Sequence, residues 1–149
     1  GKHKDWQGVQ MIFTFGSNEA GIHGAGAAER AVREHGAVRG KGEGRYGNSY
    51  AIPTKDRYIK TLPLRSIQVY AFRFMDYAEN NPEKDFQVTR IGCGLAGYKN
   101  EDIAPLFALA PENCYFDTQW RGLLEYERSR LSETLKTPTH EFKYWGTFI

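Results

Sequence analysis

The stretch Ile91–Tyr98, IGCGLAGY, decides how this chain is read. It follows Phe86-Gln87-Val88-Thr89-Arg90, an apolar and β-branched run of strand character, and it spells G-x-G-x-x-G. A glycine loop leaving a strand is how an α/β fold offers backbone N–H groups to a phosphate. The loop belongs either to a dinucleotide-binding domain or to another α/β architecture that grips phosphate. The first alternative needs a helix beginning inside the motif and an acidic residue about 20 positions on, at the end of the next strand. Asp117 stands 20 positions after Gly97 and meets the second condition. Tyr98-Lys99-Asn100 reads as loop followed by an N-cap, so the helix starts too late. Only one further strand, 113–116 (NCYF), is expected after the motif, whereas a dinucleotide domain builds several after its opening turn. The phosphate-loop reading stands and the nicotinamide or flavin reading falls.

A second glycine run lies upstream. Residues 10–15 (QMIFTF) read as a strand stopped by Gly16-Ser17-Asn18, and 25–35 (AGAAERAVREH) as a helix closed by Gly36. Between them His23-Gly24-Ala25-Gly26-Ala27-Ala28 runs straight into the helix, so unpaired N-terminal amides face whatever lies above the strand end. Such amides attract anions by roughly 0.3–1 kcal/mol per surface contact. One loop of this kind reads as tight helix–sheet packing. Two on one rim read as a grip on a diphosphate from both sides.

The remaining elements complete an alternating pattern. Residues 36–48 are glycine-rich, carry Arg39, Lys41 and Arg45, and read as loop; 49–53 (SYAIP) is a short strand. Leu64, Ile67, Ala71, Phe74, Met75 and Ala78 recur at helical spacing after Pro63. Residues 85–91 form the strand before IGCGLAGY, 100–109 a short helix, and 118–132 a last helix with Asp117 as N-cap and Trp120, Leu124, Glu127 and Leu131 on one side. The aromatic tail 137–149 is expected to pack back on the body. Alternating strands and helices predict an α/β fold with a largely parallel sheet, its ligand beyond the C-terminal strand ends.

Bulk properties exclude several classes. With 149 residues, the chain is expected to form a single domain, with its core at about 9–117 and the last helix and tail at 118–149. A net charge of +2 without a massed basic segment argues against a nucleic-acid partner. Cys93 and Cys114 lie 21 residues apart with no histidine at ligand spacing, which argues against zinc and against a disulfide framework. No apolar run approaches the roughly 20 residues of a membrane span. GKHKDWQG at the start has no apolar signal core. The expected setting is the cytoplasm, with no membrane, metal or cofactor.

Taken together, Phe15-Gly16-Ser17-Asn18, His23-Gly24-Ala25-Gly26-Ala27-Ala28 and Gly92-Cys93-Gly94-Leu95-Ala96-Gly97-Tyr98 resemble the paired motifs of macro domains, the ADP-ribose-binding modules. The strings FGSNEAGIHGAGAA, SYAIPTKD and VTRIGCGLAGYKNEDIAPLF are more specifically similar to a small macro-like group of phage and bacterial genomes. The resemblance covers residues 11–113 and implies a three-layer α/β/α domain with a mixed, largely parallel sheet. It implies a distal-ribose contact for Asn18 and for Tyr98, with Asn18 also positioning substrate in hydrolytic relatives. Gly24, Ala25, Gly26 and Ala27 match one diphosphate loop; Gly92, Cys93, Gly94, Leu95, Ala96 and Gly97 match the other. Gly16, Ser17 and His23 join the expected ligand shell. Asp5, 13 residues before Asn18, falls near the family's adenine-binding aspartate. The usual N-A-A-N is G-S-N here, and the isoleucine-tyrosine pair of the second loop is Leu95-Ala96.

Several further residues carry paired readings. Pro53-Thr54-Lys55-Asp56 sits on the same rim, where Lys55 meets ligand and Asp56 orients water, or where proline and aspartate simply build a turn. Arg39, Lys41 and Arg45 form a lid over a diphosphate, or are solvated charges. Cys93, inside an amide-rich loop, has either a lowered thiol pKa or a space-filling role. Glu101-Asp102 start a helix. Trp120, Phe142, Tyr144, Trp145 and Phe148 wall an adenine pocket, seal a homodimer, or close over the sheet edge. The expected function is binding of an ADP-ribose-type small molecule. The alternatives are an ADP-ribosyl hydrolase using Asn18 and Asp56, and a phage or host interaction module with a vestigial pocket.

Overall fold

A computed structural model describes residues 10–146. Asp5 and Phe148 therefore lie outside the described residues. Six strands form one sheet: β1 (Ile12–Asn18), β2 (Gly44–Tyr46), β3 (Ser49–Lys55), β4 (Phe86–Val88), β5 (Cys114–Asp117) and β6 (Lys143–Trp145). Their order is β2-β3-β1-β4-β5-β6, parallel throughout except for the antiparallel β2–β3 edge. The helices are α1 (Gly26–Glu34), α2 (Leu64–Glu79), α3 (Asn100–Ile103) and α4 (Arg121–Leu131). The chain is an α/β protein with a mixed, mostly parallel sheet between two helical layers.

The layers follow from the direction of travel. After β1 the chain moves left to β3; after β3 it crosses back over β1 to β4 and continues to β5 and β6. With right-handed crossovers, a reversal of direction puts the connecting helices on opposite faces. Strand alternation supplies both faces with apolar residues. Phe13, Phe15 and Ala51 meet Ala28 and Ala31 of α1. Ile12, Tyr50, Ile52, Phe86, Val88 and Phe116 meet Ile67, Phe74 and Ala78 of α2, together with Phe107, Trp120 and Leu124. β1 is also where the winding reverses, the place where open α/β sheets leave a crevice.

Several boundaries differ from the sequence reading. β1 does not stop at Gly16-Ser17-Asn18, because those residues pair with Ile52, Pro53 and Lys55 of β3. The glycine-rich segment 36–48 holds β2, which zips antiparallel onto β3. β4 spans only three residues, since Thr89 turns its N–H and hydroxyl onto the Thr14 carbonyl. The helix expected over 100–109 breaks after Ile103 into a 3₁₀ segment, Ala104–Phe107, with Pro105 in its first turn. Two strands rather than one follow the second glycine loop, because the tail adds β6 alongside β5. A 3₁₀ turn, Thr118–Trp120, precedes α4, and Asp117 caps it by accepting from the Gln119 N–H at 2.8 Å.

Candidate functional site

Where the winding reverses, a cleft of about 540 Å³ opens beyond the C-terminal ends of β1, β3, β4 and β5. Gly16, Ser17 and Asn18 form its floor, with Thr54 and Lys55 on the β3 side and Asp117 and Trp145 on the β5–β6 side. The two glycine loops form its walls: Gly24–Ala28 on one side, Gly92–Ala96 on the other.

The first wall is built by Asn18. Its side-chain amide donates to the Ile22 carbonyl at 2.7 Å and accepts from the Ile22 N–H at 2.9 Å. That fixes the turn through Gly21, whose φ of +72° suits glycine. A Cβ on Gly21 would fall 2.4 Å from the Lys41 nitrogen, and one on Gly42 would fall against the Asn18 carbonyl. The segment 39–43 is thus pressed against the back of the β1 exit, where the Ser17 hydroxyl bonds Gly42 and His23 Nε2 bonds the Lys41 carbonyl at 3.0 Å. These glycines serve backbone contact. Arg39, Lys41 and Arg45 do not line the cleft, and Arg45 is spent on the Gly47 carbonyl and the Tyr77 hydroxyl.

From Ile22 the chain enters α1 through Gly24 and Ala25. The N-cap is Ala25, whose side chain cannot cap, so the N–H groups of Gly26, Ala27 and Ala28 have no acceptor among the described residues. All three residues line the cleft.

The second wall is a turn within a turn. Gly97 N–H bonds the Gly94 carbonyl at 3.0 Å and Tyr98 N–H bonds the Gly92 carbonyl at 2.9 Å, leaving the N–H groups of Gly94, Leu95 and Ala96 without acceptors among the described residues. Gly16 permits the close approach: a Cβ there would already stand 3.4 Å from the Gly92 nitrogen. The two walls meet at Leu95, whose Cδ1 lies 3.6 Å from where a Gly26 Cβ would be.

Gly24 and Gly94 have a different character from their neighbours. Neither adopts positive φ, and a Cβ on either would meet nothing within 4 Å. Neither backbone conformation nor packing within the chain demands glycine at these two cleft positions.

Several expected site residues are engaged elsewhere. Tyr98 does not line the cleft; its hydroxyl donates to the Leu62 carbonyl at 2.5 Å and its ring packs on the larger core. Gly97 sits behind the wall. His23 is fully buried against Phe15, and burial lowers its pKa. The Asp56 carboxylate builds a turn by accepting from the N–H groups of Tyr58 and Lys60 at 2.8 and 3.0 Å, outside the cleft lining. Of the two readings of Cys93, the lowered thiol pKa does not hold: burial pushes it up to about 11 and outweighs the nearby Arg90 charge. Asp102 starts α3 by accepting from the Lys99 N–H at 3.0 Å, in the role read for it. Trp120 is core, its indole N–H on the Asn100 side chain.

Two cleft residues, Arg90 and Asp117, were not expected in their roles, and Trp145 is the one described tail aromatic that lines the cleft, as one of its three readings had it. Arg90 lies 3.7 Å from Asp117, whose carboxylate is buried at the end of β5. Trp145 joins them, held by its indole N–H on the Val88 carbonyl at 3.0 Å. Asp117 was weighed against the dinucleotide fingerprint and as a helix cap, not as a ligand contact, and only the β6 pairing brings Trp145 beside it. Among the described residues no cluster of histidine, cysteine or carboxylate side chains could hold a metal ion. None of their helices is long and apolar enough to cross a membrane. No protein-family model, curated protein or solved structure matches the chain.

Proposed function

We propose that this protein binds ADP-ribose or a related NAD-derived nucleotide in the cleft, as a reader or sequesterer of that ligand. The observation that carries the reading is the pair of opposed glycine walls, each presenting N–H groups without acceptors. A diphosphate between them receives bonds from both sides, with the α1 N-terminus adding its dipole. The resemblance of both loops to macro-domain motifs supports the same ligand.

The cleft's length supports a nucleotide with groups on both sides of the diphosphate. From β3 to β6 there are four strand spacings, about 19 Å at ~4.8 Å each. On the β6 side, the Trp145 ring, the Asp117 carboxylate and the Arg90 guanidinium offer stacking, an acceptor and donors, a set suited to a planar base with an exocyclic amine. On the β3 side, Lys55 and Thr54 offer donors to a sugar. Binding rather than hydrolysis is favoured because the Asp56 carboxylate and the Asn18 amide are already occupied by backbone partners.

Calorimetry with ADP-ribose, NAD and AMP tests the reading. Saturable binding of ADP-ribose supports it, and no measurable heat with any of the three at millimolar concentration refutes it. Release of ADP-ribose from a modified protein, lost in Asn18→Ala, would instead establish the hydrolase.

A further inference from the structure

The mouth of the cleft is apolar where a phosphate site needs no apolar group. Ile22, Ile59 and Leu95 all line it, with 57%, 42% and 70% of their surfaces exposed. Ile59 is the unusual one. Its φ is +65°, the left-handed region, and it is the one non-glycine residue with positive φ among the described residues. A β-branched residue is a poor choice there, because its Cβ crowds the following carbonyl. Glycine or asparagine would fit at lower cost.

The surroundings hold Ile59 in that state. Ile59 N–H bonds the Asp56 carbonyl at 3.0 Å, Asp56 N–H bonds the Lys60 carbonyl at 2.7 Å, and the Asp56 carboxylate takes the N–H groups on either side of Ile59. The turn is then tied to the second glycine wall by the Thr61 hydroxyl on the Ala96 carbonyl at 3.0 Å. The result is a braced turn that presents one exposed aliphatic side chain to the cleft. Strained residues kept at a site boundary point to function when packing gives no reason for them. Packing gives little reason here, since 42% of the residue stays exposed at the cleft.

We infer that Ile59, which lines the cleft together with Ile22 and Leu95, is the apolar wall for the sugar that leaves the diphosphate on the β3 side. It is thus a specificity residue, telling a ligand with a second sugar from one that ends at the diphosphate. The inference rests on the nucleotide reading above. Tyr98, the residue expected against that ribose, is turned away to Leu62. The base is drawn to Trp145 and Asp117 at the other end, so the β3 end receives the distal ring.

The test compares ADP-ribose with ADP, which lacks that ring, by calorimetry on the wild type, Ile59→Ala and Ile59→Gly, with thermal melting alongside. Both variants weaken ADP-ribose by roughly five- to tenfold, as loss of an aliphatic contact would. ADP changes less than about twofold. Ile59→Gly, relieved of the left-handed strain, melts about 2–4 °C higher than the wild type without ligand. Equal weakening of ADP and ADP-ribose, or no weakening of either, overturns the inference while leaving the nucleotide reading in place. A lower melting temperature for Ile59→Gly also overturns it, because Ile59 would then be kept for the fold. A wild type that binds neither probe overturns both readings together.

Discussion

Gly92 and Gly94 stand two residues apart in one loop, and the structure assigns them opposite reasons for being glycine. Gly92 has φ +76°, and a Cβ there would sit 3.0 Å from Ile103 Cδ1 and 3.2 Å from its Cγ1. Ile103 is fully buried, so its side chain must give way within the core. Gly92→Ala therefore costs about 1–2 kcal/mol for the left-handed backbone. Overpacking Ile103 adds about 1–2 kcal/mol. At about 2–4 °C per kcal/mol for a domain of this size, the melting temperature falls by roughly 4–16 °C. Gly94→Ala meets no atom within 4 Å and needs no special φ. Its only effect on folding is a stiffer unfolded chain, a gain of about 0.4–1 kcal/mol. On the proposed reading its methyl group would stand in the path of the diphosphate, and the expected outcome is an affinity for ADP-ribose at least about tenfold lower, or ~1.4 kcal/mol. Circular dichroism melts and calorimetry on the same samples read both quantities. If Gly94→Ala destabilises as much as Gly92→Ala, the loop geometry is wrong. If it keeps full affinity, no phosphate lies against it.

Three other outcomes do not depend on the ligand that the cleft takes. Arg128 is a buried cation whose guanidinium bonds the carbonyls of Ala108, Ala110 and His140 and stacks on Phe142, so it pins the tail to the body. Arg128→Met strands three carbonyls, costing about 3–5 kcal/mol, measurable by urea unfolding. Burial lowers the pKa of His23 and of His140; the unfolded chain then takes up more protons below about pH 6.5, so stability is full above that pH and is lost as pH falls through it. Melting temperature from pH 8 to pH 5 should decline, and less steeply in His23→Gln. Cys93, with its thiol raised to about 11, should resist iodoacetamide at pH 7.5 and gain reactivity only toward strongly alkaline pH.

How much of this was legible in the sequence depends on the range of the interaction. α2 was readable because Leu64 through Ala78 keep one helical stripe, and that stripe is what the core buries. Both glycine walls were readable because a strand, a turn and free amides are neighbours in sequence. β2 was not, since Gly44 and its neighbours lack strand propensity and are held only by pairing with β3. Burial of Arg128 in place of Glu127 was hidden too, because its acceptors come from the segment after α3 and from the tail. The roles of Tyr98, Asp56 and Cys93 depended on which way each side chain turned, and the acceptor on Leu62, the turn at Lys60 and the burial of the thiol are tertiary facts. Trp145 was legible only as one of several aromatics with three alternative roles, because its place at the cleft depends on β6 aligning with β5 at Asp117.

The central claim is a diphosphate held between Gly24–Ala28 and Gly92–Ala96. It is tested most directly by amide chemical-shift mapping during an ADP-ribose titration. The account predicts that the N–H signals of Gly26, Ala27, Ala28, Gly94, Leu95 and Ala96 move together and saturate, while Gly47 and Gly122, away from the cleft, stay still. A titration in which these six signals do not move, or in which the shifts gather elsewhere, would contradict it.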